Sequence, residues 1–511
     1  MRYYLLLVAS PPQINKAKAN LSRLEAQAIN DRSFAECFKI QHPSLGALEL
    51  RLHLLSQLDA VTPHLRQHPV DLLIYDEREG GVDAVEAFTS IKEDVDSLAQ
   101  LWGPDFHFPL SRAVAILEGG ENATHKTFLL GREHVRDVQV APRTLAQSLR
   151  WITKILTQDH ARNEYKVGCA MSGGGMEGFL YQTGVCYALE RALSGRSLND
   201  CDVYSGISSG SIVSSALAAK VPLEEMIKSF LGKSETLPQI KGSLIYDIAF
   251  TDITRRFMKQ TLSWGGSDPY KWAQKAIRSI PTGFFKGDKL KKFIHDTLAS
   301  YGSDDQFATL DNKLFIGATN QDTFEHVVFG TGQWDQVDIS EAVRASCSLP
   351  PFFTPCKIQN HHFIDGLITR TCNLELVVKN GCNLIFIIDP MRPYASWEPG
   401  EVDKKGGVYT LIQTIKTLVN SRFQVALDHI TAKYHNVDFL IFQPHEECAK
   451  AMAGSPMKYK IRTNLVELAY KGTLQRLRER HSVYLVKLAK YGFELASQRQ
   501  LLELERIGLE F

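Results

Sequence analysis

Short apolar runs alternate with polar, helix-compatible stretches along roughly the first 155 residues of the chain. The runs span Tyr3–Ala9, Val70–Tyr75, Ala113–Leu117 and Thr127–Leu130, and a segment with helical spacing follows at Ala146–Leu156. Runs this short, separated by helices, are typical of parallel strands that are buried on both faces. We therefore predict a small doubly wound α/β domain over residues 1–157, with a regulatory or docking role.

A second and larger α/β pattern begins at Lys166. Its predicted strands are Val167–Met171, Val203–Ser205, Leu314–Ala318, His362–Ile364, Leu384–Ile388 and Phe439–Phe442. Helix-like segments such as Phe179–Leu193 and Ser211–Ala219 separate them, which predicts a second α/β domain over residues 158–445. Helical periodicity dominates from about residue 407. We predict that residues 446–511 form a helical extension packed on the second domain.

Two segments outside this alternation leave alternatives open. Residues 232–287 form an insert with apolar residues at helical spacing, including Ile245 and Phe257, and it is either a lid over a pocket or a set of extra packed helices. The tail carries cations such as Lys458 and Arg476 opposite apolar side chains. A basic amphipathic helix of this kind either rests on anionic lipid or, as we favour, covers a core.

The charge balance excludes one broad class of function. The chain has 58 basic and 57 acidic side chains, a formal net charge of +1, and an ordinary apolar content of 44%. A chain so balanced lacks the bulk positive field that nucleic-acid binding requires. We therefore expect no nucleic-acid partner, and any attraction to an anionic membrane must come from a local patch.

Cysteine spacing and hydropathy indicate the compartment. The nine cysteines show no CxxC pairs or zinc-ligand spacing, so we expect free thiols in a reducing compartment and neither a metal nor another cofactor. The N-terminal apolar run Tyr3–Ala9 is short and leads into Ser-Pro-Pro, which favours a first strand over a signal peptide. No run approaches the ~18 apolar residues of a membrane-spanning helix. We expect a cytoplasmic protein.

A nucleophile motif, G-x-S-x-G, occurs at Gly206–Gly210, with Ser208 at its centre. It follows the apolar run Val203-Tyr204 and opens the helix-like run Ser211–Ala219, which is the strand–turn–helix setting that the motif needs. The turn exposes the hydroxyl and aims it at a helix N-terminus, whose free amides favour negative charge. Taken alone, these five residues are also explained by a turn of small residues that allows close packing.

A glycine-rich loop precedes this motif. The predicted strand Val167–Met171 runs into Ser172-Gly173-Gly174-Gly175-Met176-Glu177-Gly178, and a helix then opens at Phe179. Consecutive glycines allow several amides to point into one cavity and hold an anion. A nucleotide phosphate is disfavoured because no Gly-Lys-Ser/Thr ends the loop. An oxyanion hole fits the serine motif that follows.

The third element is an Asp-Gly pair at the end of a predicted strand, Asp365-Gly366. A glycine loop, then G-x-S-x-G, then Asp-Gly, in this order over roughly residues 166–390, resembles the patatin-like phospholipases. The resemblance implies a three-layer α/β/α catalytic domain and a Ser–Asp dyad. Ser208 would attack the ester carbonyl, Asp365 would take and return the proton, and the amides of Gly173, Gly174 and Gly175 would hold the oxyanion.

The chain departs from the family pattern at the loop. Ser172 stands where the family usually has Asp, and Glu177 stands where it has Arg or Lys; Leu367 replaces a small residue after the Asp-Gly pair. Because the amides do the chemistry, Ser172 should be harmless. Glu177 places a negative charge near the predicted oxyanion hole. We expect it to point outward; otherwise it weakens activity or alters the head-group preference.

We predict structural roles, not catalytic ones, for several other polar residues near the ends of predicted strands. His361 and His362 are close in sequence to Asp365, but we expect ordinary polar residues at a strand entry. Asp389 ends another strand, and we expect it to hold loop structure. The N-terminal domain faintly resembles a receiver domain, with Asp76 after a strand and Lys126 before a later one. The acidic pair that holds magnesium in receivers is absent from the sequence.

These elements together favour a serine lipid acyl hydrolase of the phospholipase A or lysophospholipase type. Its substrate would be a phospholipid or another acyl ester, with transient contact to a membrane surface. Two alternatives stay open: an esterase or thioesterase for soluble acyl compounds, and a non-catalytic regulatory module. The sequence gives no indication of the oligomeric state.

Overall fold

The computed structural model describes residues 2–21, 36–42, 46–102, 106, 108–142, 145–157, 165–239, 282–394, 400–453 and 462–509. Most of the predicted insert, residues 240–281, lies outside this part of the chain, as do Lys458 and its neighbours. The described residues form two compact units. The first comprises Met1–Tyr165, Ala426–Asp438 and Arg476–Leu495, and the second comprises Lys166–Val425, Phe439–Gln475 and Ala496–Phe511.

The first unit contains a six-stranded sheet. Its strands are β1 (Arg2–Ala9), β2 (Glu36–His42), β3 (Gly46–Leu55), β4 (Leu72–Asp76), β5 (Ala113–Leu117) and β6 (Asp137–Val140), and its helices include α1 (Pro11–Leu21), α2 (Val61–Gln67), α3 (Ala84–Trp102), α4 (Ala123–Arg132) and α5 (Leu145–Thr157). The strand order is β2-β3-β1-β4-β5-β6, with only the edge pair β2–β3 antiparallel. Without β2, this is the order of a common doubly wound fold, which confirms the predicted α/β architecture.

Both faces of this sheet are covered, which explains the short apolar runs. Along β1, Leu6 and Val8 belong to one buried cluster and Tyr3 and Leu5 to another. The first cluster packs against α3 through Phe88, whereas the second includes side chains of α5. Successive side chains of a strand point to opposite faces, so a sheet buried on both faces requires apolar residues at every position.

The larger sheet belongs mainly to the second unit. The strands along the rest of the chain are β7 (Lys166–Met171), β8 (Leu193–Ser194), β9 (Val203–Ile207), β10 (Lys313–Asn320), β11 (His326–Phe329), β12 (Cys356–Ile358), β13 (His361–Asp365), β14 (Cys382–Ile388), β15 (Asp438–Phe442) and β16 (Glu494–Leu495). Eight of them form a mixed sheet in the order β12-β13-β10-β9-β7-β14-β15, with β11 paired to β10. The central strands β7, β9 and β14 are buried and parallel.

Helices connect these strands. They are α6 (Gly175–Ala192), α7 (Ser209–Ala218), α8 (Leu223–Leu231), α9 (Asp288–Ser300), α10 (Ile339–Ser346), α11 (Leu374–Lys379), α12 (Glu401–Lys433), α13 (Glu446–Ala451), α14 (Arg462–Glu479), α15 (His481–Ala489) and α16 (Gln498–Ile507). Helix α12, called the long helix below, is interrupted at Gly406, which has a φ of 75° and a ψ of −173°. Among the described helices, none is long and apolar enough to cross a membrane.

The C-terminal region differs from the predicted single extension on the second domain, because residues 476–495 belong to the first unit. A buried charge network of that unit accounts for the difference. Arg112 donates to Asp438 Oδ1 at 2.7 Å, and Tyr491 donates to Asp438 Oδ2 at 2.8 Å. The charge of Arg112 helps to hold the pKa of buried Asp438 far below its usual range. Such pairing over long sequence separations leaves no local signal in the sequence.

The described part of the basic tail covers a core. Leu465 and Leu477 of helix α14 are buried. Arg476 and Arg480 are buried as well, and the Arg480 guanidinium lies 4.4 Å from the centre of the Phe106 ring within the first unit. Cations enclosed in this way are not available to lipid head groups.

Candidate active site

Ser208 lies at the tight turn between strand Val203–Ile207 and helix Ser209–Ala218. Its φ of 53° and ψ of −125° are strained for a residue with a side chain. A Cβ on Gly210 would lie 2.5 Å from the carbonyl oxygens of Met171 and Ser172, and a Cβ on Gly206 would collide with the helix backbone. The two glycines therefore permit the strand and the helix to cross closely, as the motif predicts.

Hydrogen bonds to neighbouring elements hold this turn. The Ser208 N–H donates to Ser346 Oγ at 2.8 Å, and Ser346 Oγ donates to the Gly317 carbonyl at 2.6 Å. Ser211 Oγ donates to the Ser208 carbonyl at 2.6 Å. We did not predict the role of Ser346 from the sequence.

The glycine loop lies directly against the serine. The register of β7 and β9, with Met171 opposite Gly206, brings both strand ends to one edge of the sheet. A Cβ on Gly173 would lie 2.7 Å from Ser208 Cβ and 2.5 Å from the Leu367 side chain, so no larger residue fits there. Gly175 has a φ of 60°, which favours glycine, and it begins helix Gly175–Ala192. The loop thus places a helix N-terminus next to the serine.

Asp365 ends strand β13, opposite Ala318 of β10. Its Oδ1 accepts the Leu367 N–H at 2.8 Å, and its backbone N–H donates to the Ser348 carbonyl at 3.0 Å. Gly366 follows in close contact with the Gly317 backbone, which leaves no room for a Cβ. Asp365 Oδ2 is buried and has no hydrogen bond of normal geometry among the described residues.

Burial sets the acidity of this carboxyl. Full burial raises the pKa of Asp365 to about 7, and the nearby Ser208 hydroxyl and the Leu367 N–H partly oppose the shift. The structure therefore brings Ser208 and Asp365 together. A carboxylate whose pKa lies near neutrality is a far better proton acceptor than one with the usual pKa of ~3.9.

An apolar pocket opens onto the serine. It is lined by Gly174, Gly175, Met176, Glu177, Phe179, Ser208, Ser209, Ile212, Leu290, Phe293, Cys347, Leu349, Phe352, Phe353, Leu367, Met391, Ile412, Ile415 and Lys416. Most of these side chains are aliphatic or aromatic. The pocket therefore suits a hydrocarbon chain, with the few polar groups gathered near the serine and the glycine loop.

The expectation that Glu177 points outward is wrong. Glu177 is only 7% exposed and lines the pocket in the first turn of helix Gly175–Ala192. Lys416 of the long helix lines the same pocket and is also buried, with its Nζ donating to the Met452 carbonyl at 2.9 Å. Burial lowers the pKa of Lys416, and the charge of Glu177 opposes this. A cation from a distant segment therefore compensates the anion in the loop.

Asp389 holds the loop, as we expected. It is fully buried and accepts the Met391 N–H at 3.1 Å and Gln443 Nε2 at 2.7 Å. Next to it, the Ser172 N–H donates to the Ile388 carbonyl at 3.1 Å and starts the glycine loop. These bonds position the loop without any role for Asp389 in the chemistry.

The histidines near Asp365 in sequence lie at the far end of strand β13. The His361 ring packs against Trp334 at 5.8 Å, and half-exposed His362 lies 3.4 Å from Asp322. A third histidine, His326, bridges Thr369 Oγ1 and Asn373 Oδ1 at 2.8 Å each. Burial lowers the pKa of His326 to about 4. It therefore stays neutral at physiological pH.

The receiver-like features of the first unit are engaged in ion pairs. Asp76 forms a bidentate ion pair with Arg78, in which Nη2 lies 2.6 Å from Oδ2 and Nε lies 2.8 Å from Oδ1. Lys126 contacts Glu77 and Asp83 at 2.9 Å and 2.7 Å, not Asp76. Across the described residues, no group of three or more His, Cys, Asp or Glu side chains is arranged to hold a metal ion.

A strained serine at a strand–helix turn, a buried carboxylate and a glycine loop around an apolar pocket define the class of α/β lipid acyl hydrolases. Comparison with known families agrees: residues 169–378 match the family model described as patatin-like phospholipase. The chain thus carries a patatin-like phospholipase domain, and this domain is that of a lipid ester hydrolase.

Two solved structures are similar to the chain. VipD from Legionella pneumophila is 16% identical, with a TM-score of 0.33, over 62% of this chain and 67% of that one. Human GIVD cytosolic phospholipase A2, solved in complex with methyl gamma-linolenyl fluorophosphonate, is 13% identical, with a TM-score of 0.28, over 71% of this chain and 65% of that one. The chain therefore spans about two thirds of the length of each.

Proposed function

We propose that the chain is a serine lipid acyl hydrolase of the phospholipase A or lysophospholipase type, acting through a dyad of Ser208 and Asp365. The observation that carries the proposal is the pairing of a strained serine with a buried carboxylate at the edge of one apolar pocket. Asp365 Oδ2 has no other hydrogen-bond partner of normal geometry in the described part of the chain. It is therefore free to accept the seryl proton.

The reaction follows from these positions. Asp365 accepts the proton as Ser208 Oγ attacks the ester carbonyl, and the amides of Gly173, Gly174 and Gly175 stabilise the oxyanion. When the intermediate collapses, Asp365 returns the proton to the departing alcohol. Water then attacks the acyl-serine with Asp365 again as base, which releases the fatty acid and restores Ser208.

The pocket favours a lipid over a soluble ester. Its aromatic and aliphatic lining, including Phe179, Phe293 and Phe353, suits an acyl chain and offers few groups that would hydrogen-bond a polar substrate. The charge of Lys416 lies close enough to Glu177 to interact with it, and this argues against a non-catalytic module, because the anion does not face the oxyanion site uncompensated. The first unit remains a proposed regulatory or docking domain. Eight described cysteines without disulfides fit a reducing, cytoplasmic compartment.

The experiment that tests the dyad combines a fluorophosphonate probe with release of fatty acid from phospholipids. The native chain should be labelled and release fatty acid, and Ser208→Ala should do neither. Asp365→Asn should lose release, whereas His362→Gln, which alters the exposed histidine of the same strand, should keep both. Labelling that persists in Ser208→Ala would remove Ser208 as the nucleophile. Release that survives in Asp365→Asn would remove Asp365 as the base.

A further inference from the structure

The long helix exposes an uncharged face along several turns. Between Gly406 and Val425, its described exposed side chains are Thr410, Leu411, Thr414, Thr417, Leu418, Ser421 and Val425. Leu411, Leu418 and Val425 are 43%, 61% and 67% exposed and recur every seven residues. They therefore form one stripe about 21 Å long. Helix faces in contact with water normally carry charged residues. We therefore expect this stripe to contact a partner other than water.

Two of the four hydroxyl groups of this face are bonded within the helix itself. Thr410 Oγ1 donates to the Gly406 carbonyl at 3.3 Å, and Thr417 Oγ1 donates to the Gln413 carbonyl at 2.8 Å. Transfer of such a face into an apolar medium therefore leaves these two donors satisfied, which removes a main cost of burying polar groups.

The opposite side of the same helix lines the acyl pocket. Ile412, Ile415 and Lys416 face the pocket, and Val419 packs against Leu367 beside the catalytic carboxylate. Only the width of one helix separates the exposed stripe from the site that must receive an acyl chain. A lipid surface that contains the acyl substrate therefore matches the chemistry of the pocket, and it is the partner that we consider for the stripe.

Cations and one further aliphatic residue border the stripe. Ile368, three residues after Asp365, is 47% exposed, and its carbonyl accepts Arg422 Nη1 at 2.6 Å. Arg422 belongs to the long helix, and burial together with the nearby charge of Arg370 lowers the pKa of Arg422. Arg370 is exposed. An aliphatic stripe with exposed guanidinium at its edge is complementary to acyl chains beneath phosphate head groups.

We propose that Leu411, Leu418, Val425 and Ile368 form a lipid-docking face, by which the enzyme rests on a phospholipid bilayer with its acyl pocket next to the membrane. This inference rests on the proposed function, since it names the surface from which the hydrolase takes its substrate. Membrane contact is thereby assigned to the long helix and not to the basic tail, in which Arg476 and Arg480 are buried.

The test uses the double variant Leu418→Glu/Val425→Glu of the full chain. Its matched control is Ile507→Glu, which places the same charge at an aliphatic residue, 46% exposed, on another helix of the second unit. Three quantities are measured: co-sedimentation with phosphatidylcholine vesicles, fatty-acid release from those vesicles, and hydrolysis of a monomeric short-chain ester. The double variant should lose about tenfold or more in vesicle binding and release, with ester hydrolysis unchanged. The control should match the native chain in all three.

Vesicle composition tests the role of the cations. Adding an equimolar share of phosphatidylglycerol should strengthen binding of the native chain, and Arg370→Ala should lose most of that gain while keeping its binding to phosphatidylcholine. Equal loss on both vesicle types would contradict head-group contact by Arg370.

Separate results distinguish the two proposals. If the native chain neither reacts with a fluorophosphonate nor hydrolyses the ester, the proposed function fails. If it does both and the double variant still releases fatty acid from vesicles at the native rate, the lipid-docking face is refuted. A native dimer in analytical ultracentrifugation that becomes a monomer in the double variant would instead assign the face to a second copy of the chain, and would overturn the proposal.

Discussion

The raised pKa of Asp365 predicts how the reaction depends on pH. Burial raises this pKa to about 7, and only the ionised carboxylate can accept the seryl proton. With a pKa near 7, about one tenth of Asp365 is ionised at pH 6 and about one hundredth at pH 5. An ordinary aspartate would be almost fully ionised at both. We therefore expect kcat/KM to fall about tenfold for each pH unit below 7 and to level off above about pH 8.

The assay should separate the titration of the enzyme from that of the substrate. A neutral short-chain ester serves for kcat/KM between about pH 5 and pH 9, because its charge is constant over that range. The rate constant for fluorophosphonate labelling of Ser208, measured over the same range, should bend near the same pH. Both rates should be very low in Asp365→Asn, as the amide cannot accept a proton. His326 should not contribute, since burial lowers its pKa to about 4.

The ionisation of Asp365 also makes the stability of the folded chain depend on pH. The folded pKa of Asp365 lies above the unfolded value of 3.8, so between these pH values the unfolded chain binds fewer protons and stability falls as pH rises. From about pH 5 to pH 8 the native chain should lose roughly 3 kcal/mol that Asp365→Asn keeps, from two pKa units at ~1.4 kcal/mol each. Denaturant unfolding, followed at both pH values, measures this difference. A rate profile that stays flat down to pH 5, together with a pH-independent stability difference, would refute a buried, high-pKa base.

Three further predictions concern the loop and the buried charges. Gly173→Ala should lower kcat by about 10²-fold to 10³-fold with the fold intact, as shown by circular dichroism, since the added Cβ disturbs the oxyanion loop; a rate within twofold of native would contradict that placement. Lys416→Met should destabilise the chain by roughly 3 kcal/mol, whereas Lys416→Met with Glu177→Gln should recover most of the loss, as measured in a double-mutant cycle; additive effects would show that the two charges are independent. Asp438→Asn should destabilise the first unit by roughly 3 kcal/mol or more by leaving Arg112 buried without its partner, and hydrogen exchange would report the loss there first.

Several features of the catalytic unit follow from local sequence alone. A serine at a strand–helix crossing requires small residues two positions before and after it, and Gly206 and Gly210 meet that requirement in the structure. Likewise, the Asp365-Gly366 pair could be recognised in the sequence because the structure requires its glycine: Gly366 contacts the Gly317 backbone, where no Cβ fits. Short apolar runs predicted both α/β sheets, since strands buried on two faces need apolar side chains at every position.

The tertiary structure decided what depends on distant segments. Nothing near Glu177 in sequence indicates that it is buried, because the compensating charge of Lys416 lies on a helix more than 200 residues later. Residues 476–495 belong to the first unit, where Tyr491 donates to Asp438, a residue that is distant from it in sequence. Periodicity identifies which face of a helix is apolar, but not what lies opposite it.

The sequence by itself determined the turns that carry the serine, the carboxylate and the glycine loop, because those turns demand glycines at particular positions; that the three come together was what the family resemblance implied. Only the tertiary structure decided how acidic that carboxyl is, which charge neutralises Glu177, and that the long helix lines the pocket on one side and exposes an uncharged stripe on the other. The reason is physical: backbone conformation is a property of neighbouring residues, whereas burial and electrostatic potential are summed over every segment that the fold brings near.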